Sequence, residues 1–240
     1  MTPEHDAHDE MPALDALAQQ PAKPPAIGSA LEAELAQLAP AAPRRPMRQL
    51  AIAVGASFGY AALLLALLST RRDLGELPMG WLVGAGAGWC AGFSLALYLA
   101  LVPRRGTMTT RWRAAAATAI ALSAAFVLLG WNVHPHGPSS GYLGWEHFAR
   151  GHGCLWLGLA TALVPVGLGA VFLRGALAVR SRWIAAALGA GGGCLGGLLL
   201  HLHCPIADRW HVGLIHGGVV VVAAVLAALI VPRATDRAFE

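Results

Sequence analysis

Six stretches of the chain carry no Asp, Glu, Lys or Arg: Gln49–Ser69, Leu77–Val102, Ala114–Val133, Cys154–Leu173, Trp183–Leu200 and Val212–Val231. Each reaches the roughly 17–25 residues that a helix needs to cross the hydrocarbon core of a bilayer. The pattern predicts an all-α polytopic membrane protein with six transmembrane helices and a short N-terminal cytoplasmic tail. The expected divisions are residues 1–46 as a partly disordered tail with short amphipathic helices, 47–233 as the transmembrane domain and 234–240 as a C-terminal tail.

Charge between the stretches sets the orientation. Six crossings put the N-terminal tail, the second and fourth loops and the C-terminal tail on one side. That side holds thirteen of the 17 basic residues: Lys23, Arg44, Arg45, Arg48, Arg104, Arg105, Arg111, Arg113, Arg174, Arg180, Arg182, Arg233 and Arg237. The other side holds Arg71, Arg72, Arg150 and Arg209. Positive charge is retained in the cytoplasm, so both termini of this multi-pass chain are expected there. Tryptophan agrees with the boundaries. Trp81, Trp131, Trp145, Trp156 and Trp210 fall near the outer interface and Trp112 and Trp183 near the inner one, while Trp89 falls in mid-helix. The net charge of +4 comes from arginines at helix ends, which gives no reason to expect direct contact with nucleic acid. With so much of the 240 residues spent in the bilayer, no sizeable soluble domain is expected. Met1–Pro46 has no apolar core segment and does not read as a signal peptide.

The tail has a grammar of its own. Glu4, Asp6, Asp9, Glu10 and Asp15 make its start acidic, with Met11, Leu14 and Leu17 at helical spacing. After Pro21–Pro25, Ser29 and Glu32 have capping-box spacing and open a short helix with Leu31, Leu35 and Leu38 on one face. Pro40, Pro43 and Pro46 close it. Such pieces cannot form a core alone; they either stay disordered as a tether or fold against a partner. Within the bundle, Gly84–Gly88 and Gly189–Gly197 are runs of small residues. Because lipid gives no hydrophobic drive for helix association, these predict that helices two and five are central. Pro165 is expected to bend the fourth helix without ending it.

The chemistry gathers at the expected outer mouth. Eight of the ten histidines lie there: His134, His136, His147, His152, His201, His203, His211 and His216. Cys154 opens the fourth stretch and Cys204 follows the fifth, which puts both thiols at one membrane face. A periplasmic disulfide is one reading. The other is a thiolate and imidazole site for zinc or another soft divalent metal, with His203 and His211 as the nearest candidates and His201 and His216 as additional ligands. Cys90 and Cys194 lie mid-helix among small apolar residues and read as packing. The six stretches contain none of the carboxylates or cations that mark ion pathways, and the chain shows no catalytic triad, nucleotide loop or carboxylate pair. An enzyme is not expected.

Several features together resemble a known family. They are Cys154 with Pro165, the arginine-rich turn Arg174–Arg182, the glycine-rich fifth helix, Leu202-His203-Cys204-Pro205 and the last helix with Gly213, Gly217 and Gly218 after Trp210. With Ala42-Pro43-Arg44-Arg45-Pro46 before helix one, this is similar to the NrsF-type membrane anti-sigma factors. Members often carry an aromatic residue after the tryptophan, where this chain has His211. The resemblance implies six helices in a bacterial inner membrane, a cytosolic N-terminus and an extracytoplasmic-function sigma factor as partner. It makes Met11, Leu14, Leu17, Leu31, Leu35 and Leu38 the candidate sigma-binding residues, and Cys154, Cys204, His203 and His211 the candidates for sensing redox or metal stress. The alternative is a metal-binding or metal-permeating protein with a His/Cys periplasmic site. A reporter active only in the periplasm, fused at Arg233, is expected to stay silent; activity there would invert the topology.

Overall fold

The structure, a computed structural model, describes residues 44–103, 108–132, 145–174, 181–206 and 209–236, together with Gly28 and Ala33. The chain divides into two units, Met1–Arg44 and Arg45–Glu240. The candidate sigma-binding residues Met11, Leu14, Leu17, Leu31, Leu35 and Leu38 lie outside the described residues, as do His134 and His136.

The second unit is built of six long helices: α1 (Pro46–Leu68), α2 (Met79–Leu101), α3 (Met108–Asn132), α4 (Trp145–Leu173), α5 (Ser181–His203) and α6 (Gly217–Asp236). A π-helical turn, His211–His216, leads into α6. All six are long and apolar enough to cross a membrane. The protein is therefore an all-helical, multi-pass membrane protein, as the sequence pattern predicts.

Local chemistry sets several boundaries. Pro46 starts α1, where its missing N–H costs nothing. Ser69 ends α1 in the left-handed region at φ 67°, which breaks the helical repeat. At the end of α5 the Cys204 amide still bonds the Leu200 carbonyl at 2.8 Å, and Pro205 then offers no amide to continue the ladder. Helix α4 continues past the buried Pro165 without ending, since a neighbour-packed membrane helix tolerates the lost bond. At the opposite end of the bundle, the Arg111 guanidinium donates to the Ala100 carbonyl and ties α3 to the end of α2.

Helix α5 occupies the centre. Every residue from Ile184 to Gly197 is buried, and α5 packs against each of the other five helices. Its glycines make this possible. A Cβ on Gly189 would collide with the Ala223 carbonyl of α6, and one on Gly196 would collide with the Gly158 carbonyl of α4. Gly193 faces the Val220 backbone, and Gly197 faces the Trp89 ring. Backbone touches backbone, which gives dense dispersion contact where lipid supplies no hydrophobic drive.

Helix α2 corrects the expectation of two central glycine helices. Its buried face is Trp89, Gly92, Phe93, Ala96, Leu97, Ala100 and Leu101, in the half away from the glycine run. Gly84, Gly86 and Gly88 meet nothing within 4 Å of an added Cβ. The reason is steric. The Trp89 ring, stacked on Phe126 at 3.6 Å, stands between α2 and α5 and holds the glycine half of α2 apart. The two runs therefore predict opposite outcomes for the same kind of substitution. Gly196→Val is expected to lower thermal stability by about 1–3 kcal/mol or more through overpacking, whereas Gly86→Val should be tolerated. Melting of the purified protein in detergent measures both.

Candidate functional site

The C-terminal ends of α1, α3 and α5 and the N-terminal ends of α2, α4 and α6 form one end of the bundle, the rim. Cys154 stands on α4 and Cys204 immediately follows α5; the π-helical turn begins at His211. The structure brings these three together although fifty residues separate the cysteines. The two Sγ atoms are 3.6 Å apart, and the Cys204 Sγ is 3.2 Å from the His211 Nε2. All three ligand atoms lie within 4.8 Å of one another. Among the described residues, no other three His, Cys, Asp or Glu side chains come this close.

Small residues and backbone geometry create this proximity. Gly151 lies one turn before Cys154 on α4, and a Cβ there would press on Ile215 at 2.9 Å and on His211 at 3.3 Å. Gly130 on α3 lets the backbone of Val212 and Gly213 approach, where a Cβ would sit 2.9 Å away. Trp131 and Trp210 close the same corner edge to face, with centroids 4.0 Å apart. Burial follows: Cys204 is 2% exposed and His211 3%, while Cys154 is half-buried. The site is thus reached from the Cys154 side.

A second layer holds the Cys204 segment in place. Arg71, in the loop after α1, is buried and makes a two-pronged ion pair with Asp73 at 2.6 and 2.7 Å. Its guanidinium also donates to the Pro205 carbonyl at 3.2 Å, and its amide donates to the Leu202 carbonyl at 3.0 Å. His203 donates from Nδ1 to the Ser69 carbonyl at 2.8 Å. The loop between α1 and α2 is therefore bonded to both sides of Cys204. Sequence reading missed Ser69, Arg71 and Asp73. The available signal was an arginine placed against the charge bias, with an acid two positions on.

The remaining candidates separate from the trio. His201 lies inside α5, buried, with Nε2 donating 3.0 Å to the Leu82 carbonyl and its ring against Trp81. His216 is buried at the end of the π-helical turn, its ring 5.0 Å from that of His211. His203 points to Ser69 and is not one of the three close groups. Of the outer histidines in α4, His152 is exposed. Cys194 is buried within the bundle against the Gly92 backbone, far along α5 from the rim.

Two thiols and an imidazole at these distances can do two kinds of chemistry. Deprotonated, they supply three ligands of the type zinc and other soft cations take, leaving a fourth position open. Oxidised, the two sulfurs give up two electrons and two protons and join in a disulfide. The hydrogen bond shared with Cys154, and then burial, raise the Cys204 thiol above its ordinary range. Cys204 therefore keeps its proton at neutral pH until a metal or an oxidant removes it.

A family model described as "Negative regulator of sigma F" matches residues 35–235. No curated protein and no solved structure matches the chain. The matched region takes in the six long helices but for the last residue, Asp236, and includes Leu35 and Leu38 of the tail, but neither Met11–Leu17 nor Leu31.

The raised thiol fixes the sign of a pH effect. A metal that displaces a thiol proton is expected to bind about tenfold more weakly for each unit the pH falls, per proton displaced. Competition between cadmium and a thiol-alkylating reagent checks this. Protection should centre on Cys154 and Cys204, weaken in His211→Ala and fade below neutral pH. Full labelling of both cysteines at every cadmium concentration would exclude a metal site.

Proposed function

The chain belongs to the NrsF family of negative regulators of sigma F, and from that premise we propose that it is a membrane anti-sigma factor. In this reading it holds an extracytoplasmic-function sigma factor at the cytoplasmic face of the inner membrane. The N-terminal tail does the holding, through the apolar faces of Met11, Leu14 and Leu17 and of Leu31, Leu35 and Leu38. An acidic, amphipathic tail suits a basic, grooved partner. The rim faces the periplasm, where oxidants and soft metals arrive, and Cys154, Cys204 and His211 sense them.

The observation that carries the reading is the meeting of two thiols and an imidazole from three different helical segments. Joining them by a disulfide or a metal couples α4, α5 and the start of α6. The Pro205 and Leu202 carbonyls on either side of Cys204 are the acceptors for Arg71, and His203 holds Ser69. Movement of Cys204 therefore acts on the loop that ends α1, and α1 follows directly from the tail in the sequence. Reaction at the rim weakens these bonds, α1 shifts and the tail releases the sigma factor. The metal-permeating alternative lacks a comparable support, because the six uncharged stretches offer a crossing ion no carboxylates.

Two sets of variants separate the capture step from the sensing step. Leu31→Asp, Leu35→Asp and Leu38→Asp together are expected to abolish co-purification of the sigma factor while membrane insertion is unchanged. Cys154→Ser and Cys204→Ser are expected to keep the sigma factor bound under cadmium or a thiol oxidant that releases it from the unaltered protein. Undiminished capture by the triple variant would reduce the tail to a tether. Normal release from the serine variants would remove the rim from the mechanism.

A further inference from the structure

A second site lies deeper in the bundle, next to the rim trio but separate from it. A cavity of about 260 Å³ opens between α2, α3, α5 and the π-helical turn. Its α2 wall is glycine: a Cβ on Gly80, Gly84 or Gly88 would meet nothing within 4 Å. Trp81, Trp89 and Phe126 supply flat aromatic surface, and His201 and His216 bring imidazoles to the same space. His216 is 3% exposed, and its Nε2 has no hydrogen-bond partner among the described residues. A buried polar nitrogen without a partner is costly in protein and more so at membrane depth, which argues for a ligand that pairs with it.

The lining narrows the chemistry of that ligand. Among the described residues no Lys or Arg lines the cavity, so a phosphate or carboxylate would be uncompensated. Among the described residues only two imidazoles line it, without a third ligand, and that falls short of a metal site. An acyl chain would fill the space but leave the His216 nitrogen unpaired. What remains is a flat, uncharged ring carrying carbonyl or hydroxyl oxygens. Access comes from the side: Gly80, Gly84, Gly88 and Leu129 are exposed within the spanning helices, so the cavity faces lipid.

We propose that this cavity binds the head group of a lipid-soluble quinone. The ring lies against the glycine wall of α2 among the indoles. An oxygen pairs with His216 Nε2, and the tail stays in the bilayer. His201 spends its Nε2–H on the Leu82 carbonyl, which leaves Nδ1 as an acceptor suited to the hydroxyl of the reduced form. A single imidazole, His211, stands between this site and Cys204. The proposal does not depend on sigma-factor capture by the tail.

The test uses the full chain in saturated phosphatidylcholine nanodiscs, with a decyl-substituted benzoquinone as probe and tryptophan quenching as readout. Saturable quenching is expected. Gly84→Leu and Gly88→Leu, which fill open space, are expected to weaken binding about tenfold or more. Gly86→Leu is the matched control: it also meets open space on α2 but does not line the cavity, so binding should be unchanged. His216→Leu is expected to cost about tenfold for the quinone, one buried hydrogen bond, and nothing for decanol. Absence of saturable quenching would overturn the proposal. So would equal losses in Gly84→Leu and Gly86→Leu, or displacement of the quinone by equimolar decanol, which would show that the tail alone binds. If His216→Leu fails to assemble, the glycine pair still decides.

Discussion

Contact of backbone with backbone along α5 is the constraint on which the rest of the molecule depends. In water, burying large apolar side chains would hold such a bundle together. In lipid that term vanishes between helices, and what remains is dispersion at close range and the polar contacts that closeness permits. The glycines at 189, 193 and 196 let α4 and α6 approach until carbonyls and Cα atoms occupy the place of a side chain. Helix α5 is then fixed on all sides, and whatever sits at its end is fixed with it. Cys204 is that residue.

The rim shows how polar groups are made tolerable where water is scarce. Arg71 is a buried cation, and its guanidinium donates to two acceptors: the Asp73 carboxylate and the Pro205 carbonyl. A buried charge with one partner removed is strongly destabilising, so such a cluster holds its geometry or rearranges as a unit. Its acceptors are the carbonyls beside Cys204, and the helix end it secures is that of α1. The same few residues thus stabilise the loop and tie it to the segment that carries Cys204. This link is one of direct hydrogen bonds between the loop and the Cys204 segment.

The π-helical turn has a similar double character. A wider turn at His211–His216 aims His211 at Cys204 and carries His216 inward toward α2 and α5. Gly130, Gly213 and Gly217 make room for it against the α3 backbone. Such insertions into regular helices cluster at functional positions because they buy side-chain direction at the expense of a regular ladder. In an α-helical run the two rings would be carried to other directions around the axis.

The sequence by itself determined the class of protein and the number of crossings, because uncharged runs of bilayer length have no other stable use. It also placed Cys154 and Cys204 at one face, since a crossing count fixes which loop ends share a side. The family resemblance was legible in the same motifs, and the matched region confirmed it. Only the tertiary structure decided which glycines pack. Gly84–Gly88 and Gly189–Gly197 look alike as strings, but small residues permit close approach without saying which neighbour arrives, and the Trp89 ring kept the first run open. Only the structure chose His211 over His201 and His203, because ring direction depends on helix phase and on the π-helical turn. The link from Arg71 to the Cys204 segment was likewise hidden, since the acceptors there are the backbone carbonyls of Leu202 and Pro205, and a carbonyl leaves no mark in a sequence.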